Sequence, residues 1–98
     1  MIYHLTTREA WHEQQSADFF TAPSLQTEGF IHCSTLGQVA GVRERYFAGQ
    51  RDVILLHIDE AKLTCEVKYE VSTGGEKFPH VYGPVDRAAI VVTEQLTG

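Results

Sequence analysis

Glu28-Gly29-Phe30-Ile31-His32-Cys33-Ser34-Thr35 is the stretch that decides how this chain is read. Gly29 to Ser34 has the side chains of a strand, with Phe30, His32 and Ser34 on one face and Ile31 and Cys33 on the other. A helix follows at once. Ser34 or Thr35 supplies an N-cap hydroxyl, and Thr35 with Gln38 has capping-box spacing. Leu36, Val39, Ala40, Val42, Tyr46 and Phe47 make its apolar stripe, and Gly49 closes it. Unpaired N–H groups at such a helix start, with the Ser34 and Thr35 hydroxyls, suit a phosphate or carboxylate lying beside His32. Plain N-capping accounts for the same hydroxyls without a ligand.

Outward from this stretch the chain alternates between strand and helix signals. Met1–Leu5 alternates as a strand, with Ile2 and His4 facing one way and Tyr3 and Leu5 the other. Thr6 and Glu9 form a capping box that predicts a helix from about Thr7 to Gln15, anchored by Trp11. Ser16–Thr27 reads as irregular, with Phe19, Phe20 and Leu25 as core contacts and Pro23 blocking a helix. Asp52–Ile58 is apolar enough for a central strand, and Asp59–Lys62 is a helical turn. Glu66–Val71 alternates as a half-buried strand. Ser72–Asp86 reads as a loop containing an extended piece at Phe78–Tyr82, and Ala88–Thr93 is a last strand. The expectation is an α+β fold, two main helices on a mixed, mostly antiparallel split sheet, in one domain over residues 1–98.

Composition narrows the function. The 98 residues are 43% hydrophobic and 21% charged, which suits a globular fold and not a disordered chain. A net charge of −5 argues against a general nucleic-acid binder, although local arginines such as Arg8, Arg43 or Arg45 can still neutralise one small anion. No apolar run approaches the ~20 residues of a membrane helix. The first residues show no basic n-region or h-region. The expectation is therefore a cytoplasmic chain in which Cys33 and Cys65, which form no CxxC motif, are reduced thiols.

Three of the five histidines sit inside apolar or aromatic strings. They are His4 in Tyr3-His4-Leu5, His32, and His80 in Phe78-Pro79-His80-Val81-Tyr82-Gly83-Pro84. Imidazole donates, accepts and ionises near neutral pH, so His4, His32 and His80 are the candidate catalytic groups. A histidine on a buried strand is often only a satisfied core residue. His12, on an exposed helix face, and His57, beside Asp59, rank lower. Ser34, Thr35, Glu28 and Tyr82 are the candidate ligand contacts: the hydroxyls for phosphate, Glu28 as a carboxylate near developing positive charge, Tyr82 for stacking. No metal site is expected. Three histidines with an open position for water would suit a zinc hydrolase, but no HxH or HxxxH spacing is present.

Ile2-Tyr3-His4-Leu5, Glu28 through Ser34, Phe47 and Phe78 through Pro84 together resemble domain-of-unknown-function family 952, a family of small bacterial proteins, across essentially the whole chain. That family in turn resembles a minimal ADP-ribosyltransferase fold. The resemblance implies a split, curved sheet with a cleft for NAD or an ADP-ribose-like nucleotide. It places His4 on the nicotinamide-side ribose and His32 with Ser34 at the second position. The late-strand glutamate of the larger enzymes has no match before Glu94, at the end of the last expected strand. A small anionic or nucleotide-like ligand is the expected partner, and a non-enzymatic sensing or interaction module is the alternative. An exposed apolar cluster of Tyr46, Phe47 and Phe78 would favour that alternative.

Overall fold

The computed structural model describes residues 1–96. β1 (Ile2–Thr7) leads into α1 (Arg8–Glu13), followed by β2 (Phe19–Phe20), α2 (Pro23–Glu28) and β3 (Ile31–His32). A 3-10 turn at Leu36–Gln38 precedes α3 (Val39–Phe47). Then come β4 (Val53–Ile58), β5 (Val67–Val71), β6 (Lys77–Val81), β7 (Val85–Asp86) and β8 (Ile90–Leu96). The expected split sheet is present as two three-stranded sheets, β1-β4-β8 and β3-β6-β5, and a short β2-β7 ribbon. The two larger sheets meet where Tyr3 bridges Ser34, each N–H donating to the other's carbonyl at 2.8 and 2.7 Å. Among the described residues every pairing is antiparallel, so the sheet is not mixed.

β4 runs through the middle of the fold. Its Ile54, Leu56 and Ile58 join Ile2, Phe20, Ile31 and Val81 in one buried cluster. Its Val53 and Leu55 join Tyr3 and Leu5 in another, covered by Val39, Val42 and Phe47 of α3. Alternation along β1 and β4 therefore serves two cores, one on each face. Phe20 is almost wholly enclosed, a burial that stabilises by about 1.5–3 kcal/mol.

Several local expectations are corrected. Thr7, not Thr6, caps α1, its hydroxyl accepting from the Ala10 N–H at 3.1 Å. That helix ends at Glu13, since Gln14 leaves helical geometry to bond both the N–H and the carbonyl of Thr21. Pro23 starts a helix: at the first helical position its missing N–H breaks no bond. The strand expected over Gly29–Ser34 shrinks to Ile31–His32 plus the bridge at Ser34, because Gly29 (φ 87°) terminates α2 in left-handed geometry. Three α-helices are described rather than two main ones. Leu36 falls in the 3-10 turn, off the α3 stripe, and is 67% exposed. The loop expected at Ser72–Asp86 carries β6 and β7, and the last strand begins at Ile90 after a 3-10 turn over Arg87–Ala89. The Arg87 guanidinium lies 4.8 Å over the Trp11 ring and donates to the carbonyls of Ala17 and Gln14, tying α1 and its following loop to that turn.

Candidate functional site

A cleft of about 690 Å³ opens between β1, α2, β3 and α3. That volume lies in the range of small-molecule sites. Its walls include Leu5, Ala22, Pro23, Val42, Phe47 and Phe78, and its polar groups include His4, Glu28, His32, Ser34 and Arg45.

His4 is placed by β1, where alternation turns it away from the Tyr3 and Leu5 core, and Phe20 meets its ring edge-on at 5.6 Å. Its Nδ1 lies 2.6 Å from the His32 carbonyl oxygen. A carbonyl only accepts, so Nδ1 carries the hydrogen and the neutral ring keeps Nε2 as an acceptor. Desolvation is the larger influence on this ring and holds its pKa below the usual 6.5, against the backbone hydrogen bond that raises it. A neutral acceptor in a partly apolar cleft suits a hydroxyl donor.

Glu28 and His32 face each other across the Gly29 turn. Glu28 is the last residue of α2, and the Gly29 N–H bonds the Ser24 and Leu25 carbonyls at 3.1 Å, which brings the chain back toward the sheet. His32 Nε2 then donates to Glu28 Oε2 at 2.9 Å. A carboxylate on one imidazole nitrogen fixes the tautomer and leaves Nδ1 as a base.

His80 pairs with His32 across β3 and β6, their ring centroids 5.4 Å apart and nearly perpendicular. It does not line the cleft. It is 4% exposed, and its Nδ1 donates to Glu70 Oε1 at 2.9 Å. Tyr82 O–H donates to the same oxygen at 2.5 Å. These two bonds, Tyr82 first, hold the Glu70 carboxyl below its ordinary range, and the same contact pushes the Tyr82 phenol up. Tyr82 therefore sits beside His80 and not in the cleft. Its ring lies under the Lys68 ammonium at 4.9 Å.

Ser34 borders the cleft, with its backbone held by the Tyr3 bridge. Thr35 does not. Its N–H donates to Gln38 Oε1 at 3.0 Å in the expected capping box, and Gln38 Nε2 reaches the Lys77 carbonyl at 2.9 Å. The helix start is thus a three-residue 3-10 turn, and the N–H of its cap residue Thr35 is already bonded. Among the described residues no group of three His, Cys, Asp or Glu side chains is placed to hold a metal. Glu94 lies on β8, where its Oε1 meets His57 Nε2 at 3.1 Å, outside the cleft. Phe78 is buried and Phe47 half-buried, both in the cleft wall, so with Tyr46 they form no exposed cluster. Among the described residues no helix is long and apolar enough to cross a membrane.

Residues 5–93 match the family model described as Protein of unknown function (DUF952). The chain belongs to the DUF952 family. Its fold is similar to the crystal structure of CC0527 from Caulobacter crescentus, with a TM-score of 0.87 and 28% identity over 96% of this chain and 83% of that one. It is also similar to the solution NMR structure of CC0527, with a TM-score of 0.83 and 29% identity over 98% of this chain and 84% of that one. No curated protein matches the chain. Within this DUF952 chain, sequence reasoning missed Glu70, and it read Tyr46 only as part of the helix stripe and of an apolar cluster. Tyr46 is 57% exposed yet borders the cleft from α3, and Glu70 looked like any outward residue of an alternating strand.

Proposed function

We propose that the cleft takes a nucleotide-like anion of the ADP-ribose class, NAD included. The observation that carries this reading is the His4 Nδ1 contact with the His32 carbonyl, which leaves a neutral acceptor facing a cleft of ligand size. A ribose hydroxyl donates to His4 Nε2. His32, held by Glu28, is the second ribose contact and the acid–base group. Arg45 meets phosphate, and the neighbouring Tyr46 ring offers a stacking face. Ser34 adds a hydroxyl beside the phosphate. Glu28 is the carboxylate in reach of positive charge at an anomeric carbon. Two antiparallel sheets meeting beside a first-strand histidine support a minimal ADP-ribosyltransferase-like fold within a single domain.

The test is titration of ADP-ribose and NAD into the wild type and His4→Ala, followed by calorimetry and amide chemical shifts. Binding is expected to perturb signals around His4, His32 and Ser34. His4→Ala is expected to weaken it about tenfold, the loss of one hydrogen bond in a desolvated site. No heat and no shift at millimolar ligand overturns the reading.

A further inference from the structure

We propose that Tyr82, Glu70 and His80 form a positioning relay that fixes the His32 ring from behind the cleft. The idea rests on the reading of His32 as the acid–base group of that cleft. Glu70 Oε1 accepts from both His80 Nδ1 and Tyr82 O–H, so one carboxylate oxygen on β5 anchors two rings at the β6 end of the sheet. His80 then stands nearly perpendicular to His32 across the β3–β6 pair. Phe30 wedges the assembly. Its ring stacks on His80 at 4.1 Å, meets His32 edge-on at 4.8 Å and touches Tyr82 at 5.3 Å. On its other side His32 is held by Glu28. The imidazole, with 47% of its side chain still exposed, is therefore oriented by a carboxylate on one side and by ring contacts on the other.

Packing alone does not account for an imidazole at position 80. Its Nε2 is enclosed with no hydrogen-bond partner, a penalty that a phenyl ring of similar size would avoid. The Nδ1 bond to Glu70 is what an imidazole adds. It sets the ring's rotation, and with it the surface that His32 leans on.

The experiment uses nitrogen-15 NMR of the histidine rings in the unliganded protein, comparing wild type, Glu70→Ala, Glu70→Gln, Glu70→Met and His80→Phe. In the wild type, His32 is expected to show a single tautomer with hydrogen on Nε2. In Glu70→Ala and His80→Phe the His32 ring loses its backing and with it the geometry of its Nε2 bond to Glu28, so its signals are expected to shift toward a tautomer mixture. Glu70→Gln keeps an acceptor oxygen for both donors and is expected to preserve the wild-type signature, whereas Glu70→Met, of similar length but with no such acceptor, is expected to behave as Glu70→Ala, which separates loss of the acceptor from loss of packing. If His80→Phe fails to fold, the Glu70 variants carry the test. Unchanged His32 nitrogen shifts in Glu70→Ala overturn the relay. In parallel titrations, Glu70→Ala is expected to weaken ADP-ribose binding about fivefold, the size of one neutral hydrogen bond. A tautomer change without any ADP-ribose binding in the wild type supports the relay and overturns the nucleotide reading alone.

Discussion

His4 and His32 are linked ring to backbone: the Nδ1 of His4 lies 2.6 Å from the carbonyl oxygen of His32. One strand's side chain thereby reads the backbone of another sheet, and the seam between the two sheets becomes one wall of the cleft. The Tyr3–Ser34 bridge on the same seam keeps the two strands from sliding.

Burial of the His4 ring makes stability depend on pH. Desolvation lowers its folded pKa below 6.5, so the unfolded chain binds a proton there more readily. The contribution of neutral His4 is complete above pH 6.5 and fades as pH falls from 6.5 toward the depressed folded value. Urea midpoints at about pH 8 and about pH 5.5 are expected to differ less in His4→Gln than in wild type, by up to about one proton of linkage. Identical slopes would count against a desolvated His4.

Gly29→Ala tests the turn that brings Glu28 to His32. At φ 87° a Cβ meets nothing within 4 Å, so the penalty is conformational and not steric crowding with neighbours. Denaturation is expected to show a loss of about 1–2 kcal/mol. The His32 ring signals are expected to shift as Glu28 moves.

Gly83→Ala fails for the opposite reason. Its new Cβ would lie 2.7 Å from the Cys65 Cβ, an atom that cannot swing aside. A loss of about 1–3 kcal/mol is expected. Cys65→Gly in the Gly83→Ala background is expected to recover part of it, and a double-mutant cycle measures the coupling. Strict additivity would show that the two residues do not collide.

The two cysteines are expected to react in order. Cys33 is buried and desolvation pushes its thiol far up, while the half-buried Cys65, also raised mainly by desolvation, sits at the surface near Pro84. With a thiol reagent at neutral pH, one slow modification is expected in the native protein and two in denaturant. Rapid native labelling of Cys33 would contradict this burial.

Local signals were legible where chemistry acts over three or four residues. The Thr35–Gln38 capping box, the positive φ of Gly49 behind α3, and the alternation that separates His4 from Tyr3 all follow from neighbouring residues. α2 was hidden because Pro23 reads as a breaker unless it is known to be first in its helix. The extended piece expected at Phe78–Tyr82 is β6, one residue earlier at each end, and Pro79 is tolerated within it because β3 stops at His32. The Pro79 carbonyl accepts from the Cys33 N–H at 3.0 Å, so its missing N–H faces chain beyond the end of that strand. Glu70 could not be linked to His80 from sequence, since that contact depends on the β5–β6 register across a glycine-rich turn. The division into His4 and His32 on the cleft and His80 behind it is a property of three strands at once.

The placement of β4 also sets where the fold resists opening. Val53–Ile58 is hydrogen-bonded along both edges, to β1 and β8, and is covered on both faces. Its amides can exchange with solvent deuterium only when both flanking strands separate, so they should report the global unfolding free energy. Amides of β3, a two-residue strand bordering the cleft, should exchange far sooner. The seam beside the cleft can therefore breathe while the central strand stays closed.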